Sequence, residues 1–290
     1  MKKLIIAASL LFCSCLTPVY AGWEDQILQH KLQMQQQTFN LIIAQFQAYK
    51  NNSIPSMAAD QIKRIPINDS HESLVSLKTH NNNQRITMMD DPRDPFDSPD
   101  HNAGFDESAK VRITVYRSLE QLLQNLDNLA VAFGYAPGQI SIRIFEALRY
   151  MSTQQTLFEN KLQEIQKKYP KYSEAEAYAE TIKWVSPVKN NIPPHATGAA
   201  VDIRLFDRTK NKYLDMGPFG VIWGDNPTAP TFSAALSEEQ INNRLFLLAA
   251  ATEAGFVNYP YEYWHYSFGD RYAAYWLKLS PMVAIFGQVE

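Results

Sequence analysis

The sequence predicts an α+β fold. Residues 111–133 carry apolar side chains at helical spacing, while 140–144 and 200–206 alternate apolar and polar residues as half-buried strands do. Helical and strand-like segments also follow one another in mixed, irregular order, with no internal repeat. The chain has 290 residues, 46% of them hydrophobic and 20% charged, enough for one large domain with an appendage. A net charge of -3 gives no basic field, which argues against a nucleic-acid partner.

The N-terminus reads as an export signal over residues 1–21. Lys2 and Lys3 supply positive charge, Leu4 to Leu16 form an apolar run too short to span a bilayer, and Val19-Tyr20-Ala21 offers a small-x-small cleavage site. A mature chain starting at Gly22 would be secreted or periplasmic and free of cysteine, because Cys13 and Cys15 both fall inside the signal. Cys15 as a lipid anchor is the alternative, for which Phe12 is a poor neighbour. No later stretch is long and apolar enough to be transmembrane.

Trp23 to about Lys50 predicts an N-terminal helix, with Ile27, Leu28, Leu32, Met34, Phe39, Ile42, Ile43 and Phe46 spaced in a roughly helical period. Its glutamine-rich middle favours a solvated face, so this helical extension, residues 22–61, is expected to pack outside the core. Residues 62–290 then form the main domain. Leu74-Val75-Ser76-Leu77 suits an early strand, and Asp90 to Asp106 reads as a loop. Val111 to Phe133 is a helix, Pro137-Gly138 a turn, and Ile140, Ile142 and Ile144 mark a strand. Helices are expected over 152–169 and 173–183. A further strand covers Ala200 to Phe206, and a helix capped by Ser237 ends at Gly255. Phe256 to Phe268 is aromatic-rich and strand-like.

The chemistry concentrates in a split motif. His195-Ala-Thr-Gly-Ala-Ala-Val-Asp202 lies about sixty residues before Glu262-Tyr-Trp-His265. Together they offer two imidazoles, one carboxylate able to hold a metal, and a second carboxylate beside the last imidazole. Three N/O ligands with an open position make a catalytic zinc site, and a carboxylate beside that position can serve as base. Taken alone, each half is weak. A loop histidine is ordinarily surface, and a strand aspartate is ordinarily an ion-pair partner of a residue such as Arg204. On a flat strand, Glu262 and His265 face opposite sides, so a bulge or strong twist is needed for both to reach one site.

His-x-x-Gly-x-x-x-Asp followed by Glu-x-Trp-His resembles the zinc D-alanyl-D-alanine dipeptidases, the family that includes the vancomycin-resistance dipeptidase. Ala147-Leu-Arg149, Gln155 with Leu157-Phe158, Leu214-Asp-Met-Gly217, Ala235 to Gln240 with Asn243-Arg244-Leu245, and Ala254 to Tyr259 extend the resemblance over roughly residues 65–280. It implies a single zinc-peptidase domain with a central, mostly antiparallel sheet flanked by helices. It also implies one Zn2+ held by His195, Asp202 and His265, with Glu262 as general base and Arg149 stabilising the oxyanion; the alternative for Arg149 is a surface or ion-pairing arginine, for instance with Glu146. The implied substrate is the D-Ala-D-Ala dipeptide. A carboxypeptidase acting on longer cell-wall peptides and a zinc-holding binding domain are the alternatives. Two departures stand out. Ala147-Leu148 replace the family's usual Gly-Tyr. Gly220 stands where the family usually has an aspartate for the substrate ammonium, leaving Asp225 as a weak substitute.

Overall fold

The computed structural model describes residues 20–79, 83–88, 109–182, 184–219 and 226–290. The expected signal up to residue 19, the expected loop over Asp90–Asp106, Gly220 and Asp225 all lie outside those residues.

The fold is α+β. The helices are α1 (Ala21–Gln29), α2 (Gln36–Lys50), α3 (Asp60–Lys63), α4 (Ile113–Leu129), α5 (Met151–Lys168), α6 (Glu174–Thr181), α7 (Glu238–Glu253) and α8 (Arg271–Leu277). The strands are β1 (Leu74–Ser76), β2 (Ile86–Met88), β3 (Lys110–Arg112), β4 (Ile140–Glu146), β5 (Ala200–Asp207), β6 (Lys212–Tyr213), β7 (Val257–Tyr259) and β8 (Glu262–Ser267). The central sheet runs β2-β4-β5-β8-β7, with β6 on the end of β5. Its pairings are antiparallel except β2 with β4. A small β1-β3 ladder stands apart.

Alternation on β4 and β5 sorts their side chains. Ile140, Ile142, Ile144, Val201, Ile203 and Leu205 enter the main core, where α4 adds Leu119, Leu122 and Leu126. Asp202, Arg204 and Phe206 point to the other face. There Arg143 lies directly opposite Arg204. Each guanidinium is set over an aromatic ring, Arg143 over Phe206 and Arg204 over Tyr213, both at 4.3 Å, which offsets the like charges.

Helix α7 is buried almost all round from Leu245 to Ala251, because α4 packs on it as well as α1 and α2. Its start is fixed by a capping box: the Ser237 hydroxyl accepts from the Gln240 N–H while the Gln240 side chain accepts from the Ser237 N–H.

The N-terminal region departs from expectation in two ways. The single helix expected over Trp23–Lys50 is broken, with a short 3-10 turn over Lys31–Gln33 between α1 and α2. Ile27 and Phe39 are twelve residues apart, so one straight helix would turn their faces roughly 120° from each other. The break lets Trp23 and Ile27 of α1 and Phe39, Ile42 and Phe46 of α2 enter one core, and it leaves Leu32 92% exposed. These helices therefore do not pack outside the core. The Trp23 indole N–H also donates to the Ser233 carbonyl at 3.0 Å.

The strand expected over Phe256–Phe268 is two strands, β7 and β8, joined through Pro260 and Tyr261. A second apolar cluster beneath this hairpin gathers Ile62, Val257, Tyr259, Tyr272 and Ala273. Among the described residues, no helix is long and apolar enough to cross a membrane.

Candidate active site

Sheet register builds the site. Glu146, Asp202 and His265 pair across β4, β5 and β8, with Asp202 opposite Glu146 on one side and His265 on the other. Directly opposed residues share a face of the sheet, so three polar side chains stand in a row. His195 joins them from a 3-10 turn over Pro194–Thr197 that precedes β5. Gly198 ends that turn at a φ of 67°, where a Cβ would lie 2.8 Å from a Leu74 methyl, so the bend requires glycine.

His195 is aimed by the strand exit after β4. Its Nδ1 lies 2.7 Å from the Ala147 carbonyl, which can only accept, so Nδ1 carries the proton and Nε2 is free. The His195 carbonyl in turn accepts from the Arg149 N–H at 3.1 Å. The His195 Nε2, Asp202 Oδ1 and His265 Nδ1 atoms form a triangle with edges of 3.1, 3.1 and 3.3 Å. All three residues are buried, and they are the group of metal-capable side chains that the described residues bring together.

The donor set and its spacing fit zinc. Ligands around a tetrahedral Zn2+ at bond lengths of 2.0–2.1 Å stand about 3.3 Å apart. The second nitrogen of each histidine also has a partner: the Ala147 carbonyl for His195, and the Ser267 hydroxyl, 3.4 Å from Nε2, for His265. Such outer contacts fix the ring orientation of metal-binding histidines. Burial opposes the charge on Asp202, yet His195 and then His265 hold its carboxyl far below the usual carboxylate range.

Glu262 reaches this face through a bulge. Along β7, Val257, Asn258 and Tyr259 pair with Ser267, Tyr266 and Glu262, so Tyr263 to His265 are extra residues on β8. The Asn258 side chain holds that excess backbone. Its amide nitrogen lies 3.2, 3.4 and 3.0 Å from the carbonyls of Glu262, Tyr263 and His265, and its oxygen accepts from the Thr231 hydroxyl at 2.6 Å. Burial pushes the Glu262 carboxyl up to about 8, and the nearby charge of Asp202 adds to the rise.

Arg149 is gripped rather than free. Its Nε and Nη2 donate to the two Glu146 carboxylate oxygens, and Nη1 donates to Gln154 Oε1 at 2.8 Å. The Gln154 amide then donates to the Ser186 carbonyl at 2.7 Å. A guanidinium has five N–H donors, so two remain beyond these bonds among the described residues. Burial opposes the Arg149 charge, but Glu146 raises its pKa further above the ordinary arginine value.

Arg149, Glu262, His195, Asp202 and His265 line one cavity of about 80 Å³. Glu146 is the ion-pair partner that the sequence offered Arg149, and Gln154 is a functional neighbour that motif reading missed. Gln155, the glutamine carried by the family resemblance, turns outward to Glu159. The signal for Gln154 was present in its helical phase, four residues before the buried Phe158. Ser56, Met57 and Ala58 also line the cavity, and no local pattern announced them.

Comparison with known proteins identifies the family. The family model described as D-ala-D-ala dipeptidase, of peptidase family M15, matches residues 129–279. A D-alanyl-D-alanine dipeptidase of Synechocystis sp. (strain ATCC 27184 / PCC 6803 / Kazusa) is 30% identical over 196 residues, covering 58% of this chain and 77% of that protein. Among solved structures, VanYB in complex with D-Alanine-D-Alanine is 19% identical with a TM-score of 0.32, covering 55% of this chain and 71% of its own. A mutant VanY D,D-pentapeptidase from a VanB-type resistance cassette, in complex with Zn(II), is 19% identical with a TM-score of 0.33, covering 59% of this chain and 80% of its own.

Proposed function

The chain belongs to the D-Ala-D-Ala dipeptidase family of metallopeptidases, and from that membership we propose that it is an exported zinc peptidase hydrolysing free D-Ala-D-Ala into two D-alanines. One observation carries the reading. Three donors at the spacing of a tetrahedral ion share a small cavity with a carboxylate and an arginine held by its neighbours.

His195 Nε2, Asp202 Oδ1 and His265 Nδ1 would hold Zn2+. Bound there, zinc would supply Lewis-acid charge, lowering the pKa of a water to about 7 and drawing the Glu262 carboxyl back to its ionised form. Glu262 takes a proton from the attacking water as the new C–O bond forms. It passes that proton to the leaving amine as the C–N bond breaks. The two unassigned N–H groups of Arg149 serve the growing oxyanion, while Glu146 and Gln154 keep the guanidinium from rotating away.

Cavity size supports the dipeptide. About 80 Å³ is small, since pockets for drug-sized ligands run to roughly 300–1,000 Å³. Export is supported by the charged, apolar and cleavable N-terminal sequence, and cell-wall peptides lie outside the cytoplasm.

The test is paired. The zinc-loaded protein is incubated with D-Ala-D-Ala and, separately, with a pentapeptide stem ending in D-Ala-D-Ala. D-Alanine released from the dipeptide alone is the expected result. Release from the pentapeptide alone would make the protein a D,D-carboxypeptidase. Retained zinc with no turnover on either would leave a binding domain.

A further inference from the structure

We propose that the turn Ser56–Ala59, with Met57 at its tip, is the wall that sets substrate length, admitting the dipeptide and turning away longer peptides. The inference rests on the dipeptidase reading above and names the residues that would enforce it.

Ser56, Met57 and Ala58 line the same cavity as Glu262, Arg149 and the three candidate donors. They lie well before residue 129, where the match to the family model begins. The wall therefore lies outside the segment that the family model describes.

The turn is braced on both sides. It closes with the Ala59 N–H donating to the Ser56 carbonyl at 3.0 Å, which puts Met57 and Ala58 at the central positions. Before it, α2 ends through Asn52 at a φ of 51°, and the Ser53 N–H donates back to the Ala48 carbonyl at 2.8 Å. Ile54 and Pro55 are then buried. After it, α3 plants Ile62 in the second apolar cluster with Val257, Tyr259, Tyr272 and Ala273, against which Met57 and Ala59 also pack. Arg271 Nε ties the exit by donating to the Ile65 carbonyl at 2.8 Å.

Tyr259 makes the link to the site. It belongs to the cluster that seats the turn, it lines the cavity, and it pairs with Glu262 across the hairpin. The wall is thus seated on β7, the strand that pairs with the base's strand, which fixes it beside the base. Its residues are also uncharged, which suits the methyl side chains of D-alanine better than the charged residues of a longer peptide. Met57 is the largest of the three and only half-buried, so truncating it widens the cavity without cutting into the core.

The experiment measures kcat/KM for D-Ala-D-Ala and for the pentapeptide stem with the zinc-loaded full chain as wild type, Met57→Ala and Met57→Leu. Met57→Ala is expected to shift the ratio toward the pentapeptide by about tenfold or more, and Met57→Leu to keep the wild-type ratio. An unchanged ratio in a Met57→Ala protein that still cleaves the dipeptide overturns the wall and leaves the dipeptidase reading standing. A wild type that cleaves no dipeptide overturns that reading itself. Should Met57→Ala fail to fold, Ala58→Leu takes its place. Narrowing the cavity from the same turn should raise KM for the dipeptide, and an unchanged KM would overturn the proposal.

Discussion

The two halves of the split motif sit on neighbouring strands and are built by opposite means. The His195–Asp202 half uses mostly regular structure. A glycine-ended turn runs into β5, which pairs in plain register with β8 at Asp202 and meets β4 across one extra residue between Ile144 and Glu146. The Glu262–His265 half uses irregular structure. Its strand carries extra residues held by one buried asparagine side chain. A metal-ligand pair can come from plain cross-strand register, as Asp202 and His265 do. A base three residues from a ligand cannot, because a flat strand turns the two to opposite faces. Stability is thus spent on the bulge so that one short segment can deliver both a ligand and a base.

Glu262→Gln should break the contrast most sharply. The substitution is expected to leave zinc bound and to cut kcat for the dipeptide by roughly 10³-fold, within the range general bases contribute. An active variant in a steady-state assay would remove Glu262 from the mechanism.

Asn258→Ala tests the irregular half itself. It leaves the buried carbonyls of Glu262, Tyr263 and His265 without that donor. A loss of about 2–4 kcal/mol in denaturant unfolding is expected, together with weaker zinc binding by competition with a chelator. The matching change in the regular half is Thr197→Val, which removes a hydroxyl that donates to the Pro194 carbonyl at 2.6 Å and accepts from the Ala199 N–H at 3.1 Å. It should cost about 1–3 kcal/mol and keep zinc. Weaker zinc binding from both variants would erase the distinction.

Much of the regular half was legible in the sequence. Val201, Ile203 and Leu205 alternate with Asp202 and Arg204, Gly198 marks the bend, and the apolar spacing of α4 is unambiguous. The irregular half was not. A need for a bulge can be read from Glu262 and His265, but Asn258 as its holder depends on which carbonyls the strand leaves unpaired. Gln154 was hidden for a similar reason, because it acts through Arg149. Glu146 was legible as an ion-pair partner of Arg149, but only the β4–β5 register sets it beside Asp202. The break between α1 and α2 follows from a phase mismatch that matters only once α7 is there to receive both faces. Ser56 to Ala58 reach the cavity through contacts some two hundred residues along the chain from Tyr259, which no window of sequence reveals.

The smallest effect separates the two carboxylates of β5. Asp207, at the far end from the site, has its carboxyl held down to about 2; burial opposes this, but the Thr209 hydroxyl and the N–H groups of the following turn outweigh it. Its folded value lies below the ordinary 3.8, so its stabilisation is complete above about pH 4 and disappears as pH falls through 2. Asp207→Asn should flatten that part of the stability-against-pH curve without altering zinc affinity, as read by thermal unfolding between pH 2 and 5. Altered zinc affinity would mean that the two ends of β5 are coupled.

The most direct measurement is a crystal structure of the zinc-loaded protein collected at the zinc absorption edge. One zinc per chain is expected, with His195 Nε2, Asp202 Oδ1 and His265 Nδ1 as its protein ligands at about 2.0–2.2 Å. Glu262 should lie beside the remaining position without ligating the ion. A zinc held by other residues, or one that takes Glu262 as a ligand, would contradict this assignment of the site.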